Sequence, residues 1–107
     1  MTNPVANFGS FLETRLRADF INHEIDMTND DGTTQLRITN NNEYRSLSSN
    51  GATSEICGPY GRTTVVLEIR GEVTKLLESS GTEDHESAAI YFEGYIERQR
   101  SLFNNAA

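Results

Sequence analysis

Nine consecutive residues constrain this chain more than any other feature. From Arg62 to Arg70, Thr63, Val65, Leu67 and Ile69 fall on one side, and Arg62, Thr64, Val66, Glu68 and Arg70 on the other. Strict alternation rich in β-branched residues is the signature of a strand with one buried face. A single strand cannot bury that face alone, so the chain must also supply neighbouring strands and a covering layer.

A second strand is predicted from Thr34 to Thr39, where Leu36 and Ile38 alternate with Gln35, Arg37 and Thr39, and the triplet Asn40-Asn41-Asn42 ends it. Weaker strand patterns run from Glu43 to Ser48, with Tyr44 and Leu47, and from Thr53 to Cys57. Between them Asn50-Gly51 signals a hairpin, because both residues tolerate the positive φ of tight strand connections. Gly58-Pro59-Tyr60-Gly61 reads as a loop, as does the polar stretch His23 to Thr34. In Gly71 to Gly81, Val73, Leu76 and Leu77 fit either one helical turn or an extension of the strand, and an extended or loop conformation is expected.

The covering layer comes from the two ends. Residues 4–22 place Val5, Phe8, Phe11, Leu12, Leu16 and Phe20 at spacings of three and four, with Asn3 as cap and Pro4 in the first turn. Glu83 to Asn104 repeats the pattern with Ala88, Ala89, Phe92, Ile96 and Phe103, widened by Tyr91, Tyr95 and Leu102. Thr82 is the expected cap, and the acids of the first turn suit the positive end of the helix dipole. Gly94 costs about 1 kcal/mol relative to Ala inside a helix, and is expected to mark a close backbone contact. The predicted fold class is α+β: one domain over residues 1–107, a small antiparallel sheet of three to four strands packed by an N-terminal and a long C-terminal helix.

Leu, Ile, Val and Phe make up 24 of 107 residues, just above the level at which charged chains are expected to stay disordered. The core is therefore thin, and subunit contacts are expected to complete it. A net charge of -7 repels a nucleic-acid backbone, and the eight Arg are scattered among acids without a basic run. A basic patch from Arg37, Arg62 and Arg70 is expected to pair with carboxylates of another subunit. No stretch approaches the roughly 20 apolar residues of a membrane span, and no secretory leader is read at the start. With a single Cys57 and no Asn-x-Ser/Thr site, the expected compartment is the cytosol.

Constellations for chemistry are missing from the pattern. His23-Glu24 and His85-Glu86 each lack the second His of a zinc-binding helix, and Cys57 has no partner Cys at metal-ligand spacing. Aligned on Gly32, the acidic stretch puts Met27 and Ile38 at the first and last calcium-loop positions, where neither can ligate. Gly58 to Arg62 lacks the Lys-Ser/Thr end of a phosphate loop. Asp30-Asp31 and Glu83-Asp84 read as a turn and a helix start. No catalytic residue, cofactor or metal is predicted.

The order of elements resembles the tail-terminator family of long-tailed bacteriophages. The resemblance runs through Phe11-Leu12-Glu13-Thr14-Arg15-Leu16, Leu36-Arg37-Ile38-Thr39, Gly61-Arg62-Thr63-Thr64-Val65-Val66-Leu67-Glu68-Ile69 and Ser87-Ala88-Ala89-Ile90-Tyr91-Phe92. Val73, Lys75, Leu76 and Leu77 depart from it, standing where a plainer Gly/Pro-rich link is typical. The resemblance implies a non-enzymatic virion structural protein, a homo-oligomer ring expected to be a hexamer. Such a ring caps the tail tube and joins it to the head connector, in a virion tail assembled in the host cytoplasm. Its partners would be the tail-tube protein and the head-connector protein, with DNA only as passing cargo. Arg37, Arg62, Glu68 and Arg70 are then the candidate interface or lumen residues, against the plainer reading of solvated positions on a half-exposed sheet. The rival is a small acidic inhibitor that mimics DNA and binds a host enzyme, a role that calls for acids gathered on one face.

Overall fold

The structure, a computed structural model, describes residues 4–41 and 61–106. Helix α1 (Pro4–Asp19) leads into strands β1 (Glu24–Asp30) and β2 (Thr33–Asn40), then β3 (Thr63–Arg70) and β4 (Val73–Gly81), and the chain closes with helix α2 (His85–Ala106). The strands form one antiparallel sheet in the order β1-β2-β3-β4, each paired with its neighbour in sequence. The predicted α+β class holds. The Glu43–Ser48 and Thr53–Cys57 strands, the Asn50-Gly51 hairpin and Cys57 lie outside the described residues.

One expectation is corrected outright: most of the polar stretch from His23 to Thr34 is the β1–β2 hairpin and not a loop. Asp30 pairs with Thr33, leaving Asp31 and Gly32 as a two-residue turn with φ of +52° and +80°. Two successive positive φ values match the right-handed twist of the flanking strands, and an Asp-Gly pair adopts them at low cost. On β1 only Ile25 and Met27 face the core.

Gly71 to Gly81 is extended as expected, and from Val73 onward it is a regular strand with one interruption. The register shifts so that Leu67 opposes Leu76 while Val66 opposes Glu78, which makes Leu77 the extra residue of a β-bulge. Helix α2 begins at His85, later than predicted, and its cap is Asp84 instead of Thr82: the Ser87 N–H donates to Asp84 Oδ1 at 3.1 Å. Hydrogen bonding to Ser87, first from its hydroxyl and then from this backbone N–H, holds the Asp84 carboxyl below the usual carboxylate range. Glu83 stays outside the helix because its carboxylate accepts from the Arg62 N–H at 2.9 Å and lies over Gly61.

Both helices cover the same face of the sheet, α1 beside β1 and α2 across β3 and β4. Leu36, Ile38, Val65 and Leu67 of the central strands meet Leu12 and Leu16 of α1 and Ile96 of α2 in one fully buried cluster. Each such side chain contributes about 1.5–3 kcal/mol through removal from water. Phe8, Phe11 and Phe103 close one end, and Phe20, Tyr91, Phe92 and Tyr95 close the other. Polar ties fix the helices together: Tyr95 Oη donates to Asp19 Oδ2 at 2.6 Å, and Arg15 Nε to Gln99 Oε1 at 3.2 Å. Gly94 marks no backbone approach, contrary to expectation; the one outside atom near its missing Cβ is Arg98 Nη1 at 3.3 Å.

Candidate interaction surface

Both described helices lie on one side of the sheet, and among the described residues no helix lies on the other. Strand alternation puts Glu24, Asp26, Thr28 and Asp30 of β1 there, with Thr33, Gln35, Arg37 and Thr39 of β2. From β3 come Thr64, Val66, Glu68 and Arg70, opposite Ser80, Glu78, Lys75 and Val73 of β4. Three of the four predicted residues, Arg37, Glu68 and Arg70, therefore share this face. Arg62 precedes β3 and is exposed, its place set by its backbone bond to Glu83.

The register shows what the three meet. Arg37 lies across from Asp26 on one side and Val66 on the other, so charge opposes charge over β1–β2. Glu68 lies between Gln35 and Lys75, a second complementary pair. Arg70 reaches back across β2, its Nε donating to Thr33 Oγ1 at 3.0 Å. Directly opposed pairs of opposite charge are each worth about 0.2–1 kcal/mol. Thr28, Asp30, Gln35, Glu68, Arg70 and Leu77 help line an open groove of about 370 Å³ that runs over this end of the face.

Two hydrophobic features stand out against this polar surface. Val66 is only 3% exposed although it belongs to the face away from α1 and α2 and not to the main core cluster. On β4, Val73 is 66% exposed and Leu77 43%, with Leu76 at 36% on the opposite side of the strand. Among the described strands β1 and β4 are the two edges. They differ in chemistry: β1 turns three acids and no base toward the face away from α1 and α2, while β4 turns the chain's single Lys and Glu78 there beside exposed Val73 and Leu77.

Sequence reasoning missed Asp26, Asp30, Lys75 and Leu77 as members of this surface. The Asp31-Gly32 turn was the one signal that could have revealed β1, since it lies between two alternating segments. Elsewhere, Ser79 Oγ and His85 Nδ1 lie 3.1 Å apart, joining β4 to the start of α2. Among the described residues Asp84, next to it in sequence, interacts electrostatically with that imidazole. Among the described residues, too, no three His, Cys, Asp or Glu side chains converge as a metal site would need, and no helix is long and apolar enough to cross a membrane. No protein-family model, characterised protein or solved structure matches this chain.

Proposed function

We propose that this chain is a non-enzymatic assembly subunit that joins copies of itself edge to edge into a ring of the tail-terminator kind. The observation that carries the reading is the contrast between the two sheet edges. Edge strands hold unpaired backbone groups, and proteins usually blunt them with charge or a bulge. Here Lys75, Glu78 and the Leu77 bulge guard β4, and Glu24, Asp26 and Asp30 guard β1. The all-acid β1 edge repels a second β1, whereas the mixed β4 edge offers it a base. A β1 strand beside a second β1 brings acid against acid, whereas β4 beside the β1 of the next copy offers Lys75 to Asp26 or Asp30.

The meander also suits this arrangement. Strands alternate in direction, so a following β1 continues the antiparallel order beyond β4. Head-to-tail contacts of this type close into rings when the rotation per subunit allows it. The size of six, the place at the end of a tail tube and the head connector as partner come from the resemblance in element order. In that ring the acids on the face away from α1 and α2 would keep passing DNA from adhering.

The test is mass by light scattering and negative-stain imaging of the chain, alone and mixed with tail tubes from the same genome. Closed rings, or density at tube ends, support the proposal. A strict monomer at high concentration that ignores tubes overturns it. A second reading draws on the acidic row itself: Glu24, Asp26 and Asp30 on one strand face, with Asp31 in the turn, suit a DNA mimic. That reading expects a monomer that displaces DNA from a host enzyme.

A further inference from the structure

His23 stands in the short turn between α1 and β1, with its N–H donating to the Phe20 carbonyl at 3.0 Å. Its ring meets Phe20 edge-on at 5.3 Å and Phe92 of α2 at 6.2 Å. Nδ1 is buried and has no hydrogen-bond partner. A neutral imidazole can pack in such an aromatic setting, but an imidazolium needs an acceptor or water for each N–H.

Among the ionisable side chains of these elements, the ones beside the turn in sequence or joined to it through Phe20 are Arg17 and Asp19 of α1, Glu24 of β1, and Tyr91 and Tyr95 of α2. Arg17 is bound to Glu13 and the Ile25 carbonyl, and Asp19 accepts from Tyr95. Glu24 accepts from Asn41 Nδ2 at 3.2 Å, and Tyr91 lies beneath the Arg98 guanidinium. Both carboxylates are thus already engaged by other groups. Phe20, the neighbour of His23, also touches Tyr91, Phe92 and Tyr95, so the turn is the point where α1, β1 and α2 are held together.

We propose that His23 is an acid-operated latch: neutral, it locks the α1–β1 turn onto α2, and charged, it lets that turn swing out to water while the sheet stays folded. Burial lowers the His23 pKa, in keeping with this. The charged ring is satisfied only in the open form, so each fall in pH raises the open population. Ile21, already 76% exposed, and Phe20 travel with the turn.

Amide hydrogen exchange at pH 7 and pH 5.5, corrected for intrinsic rates, tests the latch. With an open-state pKa of 6.5, opening of the turn residues 20–23 should rise by up to roughly eightfold. The rise should vanish in H23Q and leave the central strands β2 and β3 unchanged. Imidazole titration in H85Q, where His23 is the remaining histidine, should give a pKa below 6.5 whatever the fate of H23Q. Equal acceleration in H23Q, acceleration spread over the whole sheet, or titration at or above 6.5 overturns the proposal.

Discussion

Replacing Arg100 by Met separates what a buried cation contributes from what it costs. Arg100 is 9% exposed near the C-terminal end of α2. Its Nη1 donates to the Gly71 carbonyl at 2.9 Å and its Nη2 to Thr74 Oγ1 at 2.9 Å, while the guanidinium lies 4.9 Å from the centre of the Phe8 ring. Two charge-assisted hydrogen bonds at about 1.5–3 kcal/mol each and a cation–π contact of about 1 kcal/mol favour the native residue. Against them stands the cost of burying a cation, several kcal/mol, here raised by an Nε without a partner. Glu97, at 3.6 Å and 54% exposed, adds little. The balance is about 2 kcal/mol in favour of Arg, because both acceptors lie near the surface and recover water when it is gone. For a domain of this size that corresponds to a fall in Tm of roughly 10 °C. Thermal and urea melts of R100M and R100K measure it, with Lys expected between the two because it keeps the charge and loses the fork. A variant R100M as stable as the native chain, or more so, would refute the reasoning and make the guanidinium a net cost.

Four other outcomes follow from the same geometry. K75E should reduce assembly by about tenfold, beyond the roughly 1 kcal/mol lost in the melt from placing Glu opposite Glu68, and mixing it with D26K/D30K should restore assembly, as read by light scattering; like charge across one desolvated contact is worth about 1.4 kcal/mol or more. G81A should cost more than about 2 kcal/mol in a urea melt, because φ is +143° there and a Cβ would press on the Arg62 carbonyl and the Thr63 Cα. G94A should raise stability by about 0.5–1 kcal/mol, since the helix is regular there and only the mobile end of Arg98 must yield. Burial, together with the Asp19 bond, raises the Tyr95 pKa above its ordinary 10.0, so its contribution is complete below pH 10 and lost as pH climbs toward the raised value. Y95F should therefore be less stable at pH 7 by about 1 kcal/mol and show a flatter alkaline limb in melts between pH 9 and 12.

Much of the scaffold was legible because its signals are local. Both helices carry apolar stripes of the right period, and β3 alternates without a break. The failures have equally specific causes. In β1 the alternation amounts to Ile25 and Met27 followed by polar residues, and its strand conformation depends on the backbone bonds offered by β2. In β4 the bulge inserts Leu77 beside Leu76, so the period of two breaks in the middle of the strand and leaves a helical turn as a competing reading. At the start of α2, Thr82 and Asp84 are both good caps by type. Asp84 wins because Glu83 is drawn off to the Arg62 backbone, a contact between positions 21 residues apart.

The surface divides the same way. Periodicity by itself determined that Arg37, Glu68 and Arg70 lie on the sides of β2 and β3 away from the buried residues. It also determined that two helices must cover one side of a small sheet. Only the tertiary structure decided that β1 and β4 are the edges among the described strands, that acids alone line one while Lys75 and Glu78 with bare Val73 and Leu77 line the other, and that Asp26 faces Arg37. The physical reason is range. A side chain's face follows from its neighbours in sequence, whereas strand order and register are set by backbone hydrogen bonds and packing between distant segments.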